Sequence, residues 1–330
     1  MRVVAEYGRD DLAKVYVAQM REEETDDTKK GKHLVEFVES LQPPNPREKK
    51  WVLIVSSMFG CPVKCKMCDA GGNYSGQMTA DEIVSQIDYV VRRRYPDRKI
   101  PSSKFKVQFA RMGEPTLNPA VLDALRLLPE VFDAPGLYAS LSTVAPSGGG
   151  AREFLEKLID VKNDCYPNGR FQLQFSIHTT DEAKRDEMIP AKKLSLEEIA
   201  AYADRFVDLD AGDKKITLNF APAEGYPIDV GIIRRHFDPA KFVIKLTPLN
   251  PTVRSKEESL KSVIDPKIND PSRGLVDKFR GGGYEVILSI GELEENRIGS
   301  NCGQFIQRAI DAEERPRESY ELDRYCVNGE

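Results

Sequence analysis

Short β-forming runs alternate with helical patterns along most of this chain, and that alternation constrains the fold more than any other feature. Six runs stand in order: "WVLIVSS" (51–57), "FKVQFAR" (105–111), "GLYASLSTV" (136–144), "FQLQFSIH" (171–178), "KITLNFAPA" (215–223) and "FVIKLTPLN" (242–250). Helical patterns lie between them near 79–95, 118–132, 152–162, 195–209 and 229–237. Thr79, with an acidic residue in the turn after it, marks one helix start, and Asn118-Pro119 marks another. Strands alternating with helices build a parallel sheet with helices outside. The expected fold class is therefore α/β, an open or partial (β/α)6 barrel, with "YEVILSI" (284–290) as a seventh strand at its edge.

The first fifty residues follow another pattern. "KVYVAQM" (14–20) and "HLVEFVES" (33–40) read as strands flanking a charged, mobile tip at 21–32. The expected organisation is a short N-terminal β-hairpin extension over 1–50, a barrel with its closing loop over 51–306, and a polar tail over 307–330. No run approaches the roughly eighteen apolar residues of a membrane helix, and the start lacks the apolar stretch of a secretory signal, so a cytoplasmic protein is expected. The net charge of −5 does not favour nucleic acid as a partner, and the basic runs at 91–99 and 46–50 read as solvated surface.

Three of the six cysteines, Cys61, Cys65 and Cys68, fall in one loop, "MFGCPVKCKMCDAGG", just after a strand. Three thiolates hold three irons of a four-iron cluster and leave the fourth open to a ligand. An open coordination position is the mark of a catalytic metal site. A zinc knuckle would need a distant fourth ligand, and no second Cys-x-x-Cys pair exists to supply one.

The C-x-x-x-C-x-x-C spacing resembles the radical S-adenosylmethionine (SAM) superfamily, and further elements resemble its RlmN/Cfr-like adenine methylase branch. Those elements are "SSMFGCPVKCKMCDAGG", "RMGEPTLN" (111–118), "LSTVAP" (141–146), "FSIHTTDEAKRDEMIP" (175–190), "LTPLNP" (246–251) and "NCGQF" (301–305), in that branch's order from about residue 33 to about 306. Met67 departs from the aromatic that superfamily usually places before the third cysteine. The resemblance implies a [4Fe–4S] cluster on the three cysteines, with the amino and carboxylate groups of SAM on the open iron. It implies a SAM pocket made by Gly113, Glu114, Ser142, Ser176, the backbone at Ile177, His178 and Asn250. It also implies a reductant such as flavodoxin or ferredoxin.

In that branch the cysteine matching Cys302 is methylated by one SAM, and a radical made from a second SAM activates the methyl group for addition to an electron-poor sp2 carbon. Glu36 matches a glutamate taken as the proton acceptor. The branch's second, resolving cysteine is Ile54 here, which cannot exchange thiols; Cys165 and Cys326 are the remaining candidates. The RNA-modifying relatives carry an added helical domain, whereas only a hairpin-sized segment precedes Trp51. The expected activity is therefore methyl transfer to an unreactive carbon of a small molecule or nucleotide rather than ribosomal RNA. An RNA methylase with a reduced N-terminus and an iron–sulfur sensor without turnover are the alternatives.

Overall fold

The computed structural model describes residues 1–21, 33–72, 74–265, 273–291, 295 and 298–300. Three antiparallel strands come first: β1 (Arg2–Gly8), β2 (Ala13–Gln19) and β3 (Leu34–Ser40). β3 pairs antiparallel with β4 (Trp51–Val55), where a parallel run begins. A two-residue ribbon, β5 (Met58–Phe59) with β6 (Gly76–Gln77), brackets the cysteine loop. The run continues through β7 (Phe105–Phe109), β8 (Leu137–Thr143), β9 (Phe171–Ser176), β10 (Ile216–Phe220), β11 (Phe242–Leu246) and β12 (Val286–Leu288), each parallel to its neighbour. Apart from that ribbon, the described strands make one sheet, β1-β2-β3-β4-β7-β8-β9-β10-β11-β12, with edges at β1 and β12. It is an open parallel barrel, with the expected seventh parallel strand at the rim.

Eight helices are described: α1 (Ala80–Arg94), α2 (Ala120–Val131), α3 (Ala151–Cys165), α4 (Glu182–Met188), α5 (Leu196–Phe206), α6 (Val230–His236), α7 (Val253–Glu257) and α8 (Arg273–Gly281). α1 starts at a reciprocal cap. Thr79 Oγ1 accepts from the Glu82 amide and Glu82 Oε2 accepts from the Thr79 amide. Its buried stripe of Ile83, Ile87, Val90 and Val91 shares a core with Phe105, Val107 and Phe109 of β7.

The strands alternate where an ordinary buried parallel sheet would be apolar on both faces. In β7, Phe105, Val107 and Phe109 are buried while Lys106 and Gln108 stay partly exposed; in β9, Gln172, Gln174 and Ser176 do the same. Curling the sheet turns these polar positions inward, so the barrel encloses a polar lumen.

The N-terminal extension has one strand more than the hairpin read from sequence. β1 is a half-exposed edge strand with a bulge at Val3/Ala5, and its polar residues hid it from a search for apolar runs. The charged tip is described only at Arg21, and residues 301–330, which include Cys302 and Cys326, lie outside the described residues. Among the described residues no helix is long and apolar enough to cross a membrane.

Candidate active site

The cysteine loop leaves β4 and is pinned to the far side of the barrel. The Asp69 carboxylate accepts from the amides of Val253 (3.1 Å) and Arg254 (2.9 Å), and Thr252 Oγ1 donates to the Met67 carbonyl (3.0 Å). Lys66 N donates to the Met188 carbonyl at the end of α4. These bonds carry Cys61, Cys65 and Cys68 over the mouth of the barrel, onto the wall of a cavity of about 640 Å3. The same wall holds Gly113, Glu114, Ser142, Ser176, His178 and Asn250, residues up to 189 positions apart in sequence (Cys61 to Asn250).

Burial, then the neighbouring Cys68, pushes the Cys61 thiol up to about 12. Burial, then Cys68 and Cys61, pushes Cys65 up as well. A bound metal cation would hold these buried thiols as thiolates near neutral pH. Among the described residues no three His, Cys, Asp or Glu side chains close tightly enough for one metal ion. A zinc centre needs sulfurs roughly 3.8 Å apart, given Zn–S bonds near 2.3 Å. Three cysteines on one cavity wall are the donor set of a four-iron cluster that leaves one iron open.

Glu114 is buried and firmly held. Its Oε1 accepts from Thr143 Oγ1 (2.6 Å), Thr116 Oγ1 (2.7 Å) and the Thr116 amide (3.1 Å), and Oε2 accepts from the Val144 amide (2.9 Å). Burial raises its pKa against the pull of these donors. A cationic ammonium beside Oε2 would complete the site. Gly113 has φ +96°, and a Cβ there would stand 2.6 Å from Met58 Cβ and 2.9 Å from Ser57 Oγ. Only glycine lets the backbone pass so close to the loop.

His178 also has a left-handed backbone, φ +64°, which for a side-chain-bearing residue stores strain. The conformation aims its ring at β10, where Nδ1 accepts from the Ala221 amide (3.1 Å), so Nε2 carries the proton and is the ring's donor. Burial, then the Arg185 charge, lowers its pKa to about 4 from the ordinary 6.5. The unfolded chain therefore binds more protons between these values. The stability this group contributes is complete above pH 6.5 and is lost as pH falls towards 4, by about 3 kcal/mol in all. In urea titrations at pH 7 and 5, His178→Asn should lose less stability on acidification than the parent protein; equal losses would contradict this assignment.

Asn219 was not anticipated from sequence. It lines the cavity, and its buried Oδ1 has no hydrogen-bond partner among the described residues. An orphaned acceptor in a cavity wall fits a ligand with donors. The only sequence signal is a single amide in the apolar strand "ITLNF". Ile177 is fully buried; its amide donates to the Asn219 carbonyl (2.9 Å) and its own carbonyl accepts from Thr179.

Glu36 is fully buried on β3 and is absent from the described cavity wall. Arg111, which is on that wall, donates to Glu36 Oε2 through Nη2 (2.7 Å) and Nε (3.2 Å). The same guanidinium donates to the carbonyls of Gly299 (2.8 Å) and Ser300 (3.2 Å). It therefore joins Glu36, the cavity and the chain two residues before Cys302. Ile54 lies on the cavity wall at the resolving-cysteine position. Cys165 ends α3 in a different cleft with Pro129, Phe132 and Tyr166, away from the cysteine loop.

No family model matches the chain. A probable dual-specificity RNA methyltransferase RlmN from Thermosipho melanesiensis is 26% identical over 268 residues, 78% of this chain and 69% of that protein. A protein of the same name from Parasynechococcus marenigrum is 34% identical over 147 residues, 44% of this chain and 40% of the other. A solved radical SAM methyltransferase from Sphaerobacter thermophilus shares the fold, with a TM-score of 0.64 over 87% of this chain and 76% of that one, at 19% identity. The open parallel barrel is thus the fold of that solved radical SAM methyltransferase. In sequence the chain is similar to proteins named RlmN.

Proposed function

We propose that the chain is a radical SAM methyltransferase that carries a methyl group on Cys302 to an unreactive sp2 carbon of a small molecule or nucleotide. The observation that carries this reading is the shared cavity wall: three cysteines, Gly113, Glu114, Ser142, Ser176, His178 and Asn250 face one space. Cys61, Cys65 and Cys68 would hold a [4Fe–4S] cluster, which with an electron from a flavodoxin or ferredoxin supplies one-electron cleavage of SAM. Glu114 would accept the cofactor's ammonium, and the Nε2–H of His178 and Oδ1 of Asn219 would orient its polar edges. Arg111, bonded to the chain at 299–300, would deliver Cys302 to the cavity. Glu36 would take the proton released from the modified carbon, reached through movement of the Arg111 side chain. The barrel and the Cys302 loop act together as residues 51–306, with the three N-terminal strands as a side wall.

The test is a mass spectrum of the peptide containing Cys302 after anaerobic incubation of the cluster-loaded protein with SAM, beside Cys302→Ala. A 14 Da gain (one CH2, about 14) on Cys302, absent from the variant, is the expected result. Cleavage of SAM with Cys302 unmodified would overturn the methyl-carrying role.

The likeness to proteins named as RNA methyltransferases favours one second reading, methylation of RNA. Binding of tRNA or ribosomal RNA fragments that weakens steeply with salt would support it. The net charge of −5 stands against it.

A further inference from the structure

The lumen beneath the cysteine loop holds two lysines that the chemistry above leaves unused. Lys106 projects from β7 and Lys245 from β11, both at inward positions, and Lys245 stands on the wall of the same cavity. An ammonium has three protons to donate. Lys106 gives one to Gln172 Oε1 (3.3 Å) and Lys245 gives one to Gln174 Oε1 (3.4 Å). The two amides are themselves fixed, Gln172 Nε2 on Thr217 Oγ1 (2.9 Å) and Gln174 Nε2 on Ser142 Oγ (3.2 Å). The acceptors offered to the lysines are therefore neutral and rigid.

Among the described residues neither lysine has a carboxylate at ion-pair distance. The charges that act on Lys106 are those of Lys245, Lys104 and Lys50, all positive, and after burial itself they help push its pKa down to about 7. Burial, then Lys50, lowers Lys245 too. The nearby carboxylates are engaged elsewhere: Glu114 by four donors, Glu36 by Arg111, and Glu295 by Ser40 Oγ. Desolvated cations without counter-charge cost stability. With Lys245 on the cavity wall and Lys106 on the same inner face of the sheet as the cavity-lining Gln108, the pair fits a ligand that brings the negative charge.

We propose that Lys245 and Lys106 form an oxyanion subsite in the barrel lumen, which receives a phosphate or carboxylate group of the methyl-accepting substrate. The inference rests on the proposed function, in which this cavity holds both SAM and acceptor. It narrows the acceptor to an anionic small molecule. The subsite lies inside the ring of strands, so it admits a terminal group rather than an internal phosphodiester of a long RNA.

Isothermal titration of the full chain with inorganic phosphate, and separately with acetate, tests the subsite and separates its two sources of charge. The parent protein should bind one of the two saturably at one site per chain. Lys245→Met and Lys106→Met should each weaken that binding by about tenfold or more, the scale of a lost charge-assisted hydrogen bond. The exposed Lys157→Met should leave it unchanged. Lys245→Gln and Lys106→Gln repeat the test should either methionine variant fold poorly. SAM affinity of the cluster-loaded variants should stay within twofold of the parent. No saturable binding of either anion, or a parallel tenfold loss of SAM affinity, would overturn the proposal. Failure of the parent protein to bind SAM at all would instead overturn the proposed function.

Discussion

Cys65→Ala should abolish cluster binding. Reconstituted parent protein is expected to hold about four irons per chain with the broad visible absorption of a [4Fe–4S] centre. The variant should fall to background iron and lose all cleavage of SAM to 5′-deoxyadenosine. The size of the effect follows from the ligand count: with the fourth iron reserved for SAM, two remaining thiolates cannot hold the other three. The fold should survive. Cys65 sits in a small loop core with Met188, Ala221 and Leu249, apart from the main barrel core, and the loop is pinned by Asp69 and Thr252 rather than by its thiols. Cys165→Ala is the control, because that residue lies in another cleft. Full iron content in Cys65→Ala, or equal loss in Cys165→Ala, would remove the three-cysteine assignment.

The strand order and the cysteine loop were legible because each is local. An apolar run, a capped helix and a spacing of four then three residues can all be read within a short window. The cavity wall was legible only in part. Glu114 and His178 stand inside recognisable elements, whereas Asn219 and Lys245 are polar residues in strands, which read as outward-facing until the sheet is known to curl. The alternation in "FKVQF" and "FQLQFS" held that information, since a parallel strand covered by helices has no other wet face. The pairing of Glu36 with Arg111 spans 75 residues and two strands that are not neighbours in the sheet, so no periodicity in the sequence announces it. Glu36 was read as a proton acceptor through the resemblance alone. In the folded chain it is a fully buried ion-pair partner of Arg111.

That pair gives the largest expected stability effect. Both groups are almost wholly removed from water, with side-chain exposures of 3% for Arg111 and 0% for Glu36. Removing one charge leaves the other to bear the desolvation cost. Arg111→Met should therefore destabilise the protein by about 3–5 kcal/mol. Scaled by the usual entropy of unfolding per residue, that is a fall of roughly 4–7 °C in melting temperature for a chain of this size. Arg111→Met combined with Glu36→Met removes both charges and should recover most of the loss, since a buried pair replaced by apolar groups is often neutral in stability. Function should not recover with it. The double variant still lacks the donors to the carbonyls of Gly299 and Ser300, so methylation of Cys302 should stay low while the melting temperature returns. A double variant as unstable as Arg111→Met would show that the guanidinium acts mainly by packing. One that regained methylation along with stability would show that Arg111 does not position the Cys302 segment.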